Sequence, residues 1–117
     1  MIERSRGVFE GRNKSSAFKD LVWTVAISSD TACSIEEQTE NTLAKIQQNL
    51  LELNSDKSQI VSAQVFISAM KDKPVMDKVW RKWIGPDSDN WPQRACLGVE
   101  LEGDVLIEVT VVAVRKS

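Results

Sequence analysis

Two charged residues in the C-terminal third of the chain could act on an anion. Arg94 begins a predicted strand directly after the extended Trp91-Pro92 corner, and its guanidinium offers a two-pronged donor for a carboxylate. Glu108 interrupts an otherwise apolar run, and a buried carboxylate must be paired, hydrogen-bonded or protonated. These residues predict either an anion site at the sheet edge or a structural pair, Arg94 with Glu108 or with backbone, that only fixes the corner.

Two neighbours of Arg94 are further candidates. Cys96 should project to the same side of the strand as Arg94, because side chains two residues apart share a face. With no His in the chain to activate it, a packed structural thiol is favoured over a nucleophile. Trp91 either walls a cleft or plugs the corner, and the wall is favoured because aromatic residues commonly line ligand pockets.

Composition limits the function further. The chain has 117 residues, 15 Lys and Arg against 17 Asp and Glu, a net charge of −2, and neither His nor Tyr. This length predicts a single domain over residues 1–117. The near-neutral charge provides no basic surface for a nucleic-acid partner. Cys33 and Cys96 form no metal-ligand spacing, so neither a metal nor another cofactor is predicted. No apolar run could cross a membrane, and residues 1–11 carry charges where a signal peptide needs an apolar run, so a cytoplasmic protein with no membrane partner is expected.

Helical periodicity predicts two helices. Ser34 and Glu37 form an S-x-x-E capping box, and apolar residues then recur at helical spacing over 35–53. Pro74 suits the first turn of a second helix that ends at Gly85. The inner stripe of this second helix is Met76, Val79, Trp80, Trp83 and Ile84. Such a stripe at helical spacing is typical of core packing.

Strand patterns flank both helices. Strands are predicted over 7–13, a short edge strand, and over 18–28, 60–70, 93–100 and 105–114. In the third of these, Val61, Ala63, Val65, Ile67 and Ala69 would share the apolar face. Residues 85–92 form a loop, and Gly103 indicates a hairpin between the last two strands. The element order predicts an α+β, two-layer sandwich with both helices on one face of a mixed β-sheet.

The last predicted strand is apolar on both faces. One face carries Val105, Ile107, Val109, Val111 and Ala113, and the other carries Leu106, Thr110, Val112 and Val114 around Glu108. Strands of this kind occur where both faces of a sheet are covered. Because two helices cover only one face, we expect another copy of the chain to cover the second.

The residues around Arg94 and Glu108 resemble a family signature. Residues 92–96 (P-Q-R-A-C), followed by 107–109 (I-E-V) and 112–115 (V-A-V-R), resemble the P-x-R-x-C and I-E-x-x-x-x-A-V motifs of the RidA/YjgF family. These proteins are the reactive intermediate (enamine/imine) deaminases, also labelled translation initiation inhibitors or endoribonuclease L-PSP. The resemblance extends over roughly residues 21–115.

The resemblance implies a chorismate-mutase-like fold assembled as a homotrimer, with a central barrel and three sites in clefts between subunits. It implies that Arg94 binds the carboxylate of a 2-imino acid, with Trp91 and Cys96 beside it. Glu108 would position or activate the attacking water. The implied reaction converts the imine to a 2-keto acid and ammonia without a cofactor.

The chain departs from the family pattern at three places. The family's N-terminal tyrosine aligns near Ser15 or Ser16, its Ser-Gly pair aligns with Val25-Ala26, and an asparagine of its second helix aligns with Asp77. These departures favour an alternative, a non-catalytic trimeric module that binds small carboxylate metabolites through Arg94. A ribonuclease role has little support, because there is no His for acid–base work and no basic patch.

Overall fold

The computed structural model describes residues 1–116, which form two helices and one six-stranded sheet. The helices are α1 (Ile35–Glu52) and α2 (Lys73–Ile84), and the strands are β1 (Glu3–Ser5), β2 (Ser15–Phe18), β3 (Leu21–Ile27), β4 (Ile60–Ile67), β5 (Gln93–Gly98) and β6 (Ile107–Val114). The sheet order is β1-β2-β3-β6-β4-β5. β4 and β5 run parallel and the other neighbours run antiparallel, so the sheet is mixed, as predicted.

Both predicted helices are confirmed, together with the local signals that start and stop them. The Ser34 hydroxyl accepts a hydrogen bond from the Glu37 backbone N–H at 3.2 Å, which satisfies one free donor at the start of α1. α2 has Pro74 in its first turn and ends at Gly85, whose φ of 87° suits a residue without a Cβ. None of the helices described within residues 1–116 has the length and apolar character needed to cross a bilayer.

Both helices pack against one face of the sheet. α1 buries Leu43, Ile46 and Leu50, and α2 buries Met76, Trp80 and Ile84 in the same core. The inner residues of β6 complete it, and these are Ile107, Val109, Val111 and Ala113. The core interpretation of the α2 stripe is therefore confirmed, as is the α+β arrangement.

The opposite face of the sheet is apolar and open in the single chain. Trp23 on β3 lies beside Val112 on β6, and Trp23 keeps 41% of its surface exposed. Leu97 on the edge strand β5 is 43% exposed on the same face. The outward residues of β6 are half-buried rather than buried. The expectation that two helices leave this face uncovered is confirmed.

Of the predicted strands, the one over 7–13 is wrong, and those over 18–28 and 60–70 are confirmed with shorter bounds. Residues 7–13 are not a strand but the connection between β1 and β2. The strand predicted over 18–28 is confirmed as β3 (Leu21–Ile27), but Phe18 belongs to β2, and the two strands form a hairpin that turns at Lys19-Asp20, with Lys19 at φ 53°. This left-handed turn carries no Gly or Asn to signal it. In β4 a bulge between Ile60 and Ser62 leaves Val61 outside the core and 52% exposed.

The predicted hairpin between the last two strands is also wrong. Gly103 does turn the chain, with φ 57°, but β4 lies between β5 and β6. The connecting segment passes the end of β4, where the Ser68 N–H donates to Leu106 O and the Val99 N–H donates to Ile67 O, both at 3.0 Å. The two strands accordingly end at Gly98 and begin at Ile107, and β5 becomes a parallel edge strand.

Candidate functional site

Arg94 is anchored on the helix-covered side of the sheet. It lies opposite Ala63 of β4, and its Nη2 donates to Asp77 Oδ1 on α2 at 2.6 Å. Its Nη1 lies 3.7 Å from Met76 Sδ, and its Cζ lies 5.1 Å from the centre of the Trp80 ring. The side chain is 18% exposed. The guanidinium is therefore fixed on three sides by α2 and still reaches the surface.

The ion-pair partner of Arg94 is Asp77. The Arg94–Glu108 pair considered from sequence is wrong, because the two side chains leave opposite faces of the sheet. Lys73, one helical turn before Asp77, donates to Asp77 Oδ2 at 2.8 Å. Burial alone would raise the pKa of Asp77, but the hydrogen bonds and charges of Lys73 and Arg94 outweigh it and hold that pKa below its usual value. Asp77 is thus an ionised carboxylate at neutral pH.

Arg94 and Asp77 open onto a cleft of about 640 Å³ at one end of α2. Its lining also includes Trp80, Trp91, Arg81 and Lys82. The Trp91 indole is 54% exposed and donates from Nε1 to Gly85 O at 2.8 Å. Trp91 therefore forms a wall of the cleft rather than a plug, and its contact with a ligand stays a prediction.

Cys96 lies on the Arg94 side of β5 and packs against the core. Burial raises the pKa of its thiol, and the nearby Arg94 charge only partly offsets that rise. A thiol with a raised pKa is protonated at neutral pH and is a poor nucleophile. The geometry agrees with a packed thiol behind the guanidinium.

Glu108 lies on the outer face of β6, between Ile27 of β3 and Phe66 of β4. It is half-buried and lines a second cleft, of about 670 Å³. That cleft also contains Lys45 of α1, whose Nζ donates to Ile27 O at 3.1 Å, and the segment 6–9 that follows β1. Arg94 and Glu108 therefore face different clefts of one chain.

Gln38 is a positioning residue that sequence reasoning missed. It is fully buried in α1, and its Nε2 donates to Thr31 O at 3.2 Å and to Asp104 O at 3.1 Å. Its Oε1 accepts the Leu106 N–H at 3.0 Å. Gln38 thereby fixes the segment that leads into β6, two residues before Glu108. A single polar residue on a helix gives no signal of such a role.

Comparison with known proteins defines the class. The family model "Endoribonuclease L-PSP" matches residues 25–115. A RutC family protein from Haemophilus ducreyi is 32% identical over 75 residues, which is 64% of this chain and 62% of that protein. A second one, from Haemophilus influenzae, is 32% identical over 78 residues, 66% of each chain. The matched segment thus spans slightly less than two thirds of these two relatives.

Solved structures share the fold over nearly the whole chain. An uncharacterized protein from Pseudomonas aeruginosa is 27% identical, with a TM-score of 0.89 over 99% of this chain and 100% of that one. NMB1025 from Neisseria meningitidis, a YjgF family member, has the same fold at 24% identity, with a TM-score of 0.91 over 100% and 97% of the two chains. The chain belongs to the endoribonuclease L-PSP family, which includes the RutC and YjgF proteins.

Proposed function

We propose that the protein hydrolyses reactive enamine or imine intermediates, in the form of 2-imino acids, to 2-keto acids and ammonia. The observation that carries this proposal is the anchored Arg94 guanidinium at the surface of a cleft walled by Trp91. Family membership supports the same general role. The chain would act as one domain over residues 1–117, in the cytoplasm.

Arg94 would bind the substrate carboxylate. Within residues 1–116 its guanidinium has one strong acceptor, Asp77, and one weak one, the sulfur of Met76. Its other N–H groups are free to donate to a ligand, and a guanidinium suits a planar carboxylate. Because α2 already fixes the side chain, little rotamer entropy is lost on binding. Trp91 would cover one side of the ligand, with Cys96 packed behind.

A ligand that touches both Arg94 and Glu108 requires two copies of the chain, since the two residues face different clefts. The open apolar face around Trp23 and Val112 offers the surface for association. We propose a homotrimer with its sheets packed into a central barrel, in which Arg94 of one copy meets Glu108 of the next. This arrangement is chorismate-mutase-like.

The reaction needs an oriented water and a proton acceptor. A protonated 2-imino acid has an electrophilic C2, so a water held by Glu108 would add to C2 as Glu108 takes its proton. The proton then passes to the nitrogen of the resulting carbinolamine, the C–N bond breaks and ammonia leaves. The remaining proton of the added water leaves the hydroxyl group as the C=O bond forms and is taken up by the departing ammonia. In sum, the iminium acid and one water give the 2-keto acid and one ammonium ion.

A related fold contains a chemically similar ligand. The crystal structure of Escherichia coli TdcF, with a TM-score of 0.85 at 20% identity, holds bound serine. A 2-amino acid shares with a 2-imino acid the carboxylate and the nitrogen on the adjacent carbon. We take this as support for a small amino-acid-derived ligand.

A second candidate is a non-catalytic trimer that binds small carboxylate metabolites. The absence of Tyr from the chain favours it. Calorimetry with 2-keto acids, combined with an ammonia-release assay on several amino-acid-derived imines, separates the two candidates. Turnover above the rate in buffer supports the hydrolase, whereas Arg94-dependent binding without turnover supports the binding module.

A further inference from the structure

We propose that Asp77 selects ligands that carry a positive charge beside their carboxylate, and so distinguishes the protonated 2-imino acid from the 2-keto acid. This inference rests on the proposed role of Arg94 as the carboxylate clamp. It assigns to Asp77 the specificity of the same site.

The Asp77 and Arg94 side chains are in direct contact at the cleft. Asp77 Oδ1 lies 2.6 Å from Arg94 Nη2, and both residues line the same cleft. A carboxylate that binds the free N–H groups of this guanidinium must lie close to the Asp77 carboxylate. Like charges at such separations repel where water is partly excluded. A ligand with a single negative charge is therefore disfavoured relative to one that also carries a cation.

The ligand's nitrogen determines whether Asp77 attracts or repels it. In a protonated 2-imino acid the =NH2 group is on the carbon next to the carboxylate and can donate to Asp77 while Arg94 holds the carboxylate. A 2-keto acid has a carbonyl oxygen at that place. This oxygen and the Asp77 carboxylate are both hydrogen-bond acceptors, so no hydrogen bond forms between them. Hydrolysis thus replaces a favourable contact by an unfavourable one, and the product is bound more weakly than the substrate.

Lys73 offsets the negative charge of Asp77, so the site can still bind an anion. It binds the second oxygen of Asp77 at 2.8 Å, so the cluster of Lys73, Asp77 and Arg94 has a net charge of +1. Asp77 is 20% exposed and remains reachable from the cleft. Removal of Lys73 would leave a neutral cluster in which repulsion by Asp77 is less balanced. The structure therefore predicts opposite effects on 2-keto acid binding for changes at Lys73 and Asp77.

The test is calorimetric titration of the full-length protein at neutral pH with pyruvate and with alanine, a stable analogue that keeps a positive nitrogen. In Asp77→Asn we expect pyruvate to bind about tenfold more tightly and alanine several-fold more weakly, so that the ratio of the two affinities reverses. Glu40→Gln removes a carboxylate from the exposed face of α1 and should change neither affinity. Lys73→Met should weaken pyruvate binding several-fold.

The outcomes separate this inference from the proposed function. If the wild-type protein binds neither ligand, the role of Arg94 is overturned and this inference falls with it. If the wild type binds both but Asp77→Asn leaves their affinity ratio unchanged, only the inference is overturned. Should Asp77→Asn fail to fold, Lys73→Met decides, and unchanged pyruvate affinity in that variant contradicts the proposal.

Discussion

Arg94 on the edge strand β5 and Asp77 on α2 are joined by an ion pair with a 2.6 Å contact. The two side chains are 18% and 20% exposed, so the pair is mostly buried but remains accessible to water. Lys73 holds the other oxygen of Asp77. The pair connects the edge strand β5 to α2 and orients the guanidinium toward the cleft.

The contribution of Asp77 to stability should depend on pH. Asp77→Asn is expected to lower the free energy of unfolding by about 1 kcal/mol at neutral pH, as for a partly exposed pair. Because the folded-state pKa of Asp77 is held below its usual value, this contribution is fully present above the unfolded pKa and disappears as the pH falls through the folded pKa.

Urea denaturation at neutral pH and at about pH 3, below the ordinary aspartate pKa of about 3.9, measures this dependence. The difference between wild type and Asp77→Asn should shrink at the acid pH. Glu40→Gln, on the exposed face of α1, provides the charge-matched control and should show no comparable gap. A stability difference of the same size at both pH values would show that it does not arise from the charge of Asp77.

Glu108→Gln should separate binding from turnover. The amide keeps the shape of the side chain but cannot accept the water's proton, so imine hydrolysis should fall by about 100-fold or more. Since the proposed role of Glu108 is to hold the attacking water and not the ligand's carboxylate, the affinity for a 2-keto acid should change far less than the turnover. Parallel ammonia-release and calorimetric measurements check both statements, and undiminished turnover would remove Glu108 from the mechanism.

Association through the open sheet face can be tested at Trp23. Trp23→Lys places a charge on the apolar face without touching the helix-covered core, and should convert the assembly to a monomer in light scattering. Leu51→Lys is the matched control, because Leu51 is an exposed apolar residue on α1, at 52% against 41% for Trp23. Dissociation by both variants, or by neither, would contradict association through this face.

Gln38 should matter for stability despite its distance from Arg94. Gln38→Leu leaves the Leu106 N–H and the carbonyls of Thr31 and Asp104 without their partner, and should cost about 2–3 kcal/mol of unfolding free energy. Gln48→Leu, at an exposed position of α1, should stay within about 0.5 kcal/mol of wild type. Chemical denaturation compares the two, and equal losses would argue against a specific role for Gln38.

The parts of the fold that depend on local signals could be predicted from sequence. The Ser34 cap, Pro74 and Gly85 define both helices, and the alternation along β6 correctly separates its inner and outer faces. The pairing of β5 could not be predicted, because a Gly-containing turn such as that at Gly103 indicates a reversal of the chain but not which strand becomes the neighbour. Strand order is set by non-local packing.

The candidate site was predictable to a similar extent. The Trp91-Pro92 corner correctly indicates that Arg94 lies at the sheet edge beside an aromatic wall. The partner of Arg94 was not predictable by pattern, because it depends on the rotation of α2 that brings Asp77 toward β5. Strand alternation places Glu108 on the opposite face of the sheet, so its sharing a site with Arg94 stays a prediction. A site with both residues therefore depends on assembly.

The central claim is tested most directly by the rate of ammonia release from amino-acid-derived 2-imino acids generated in solution, with wild type and Arg94→Ala compared at equal oligomeric state. Wild type should exceed the rate in buffer, and Arg94→Ala should return to that rate while the assembly persists. A wild-type rate equal to that in buffer for several imines, or full activity in Arg94→Ala, would contradict the account.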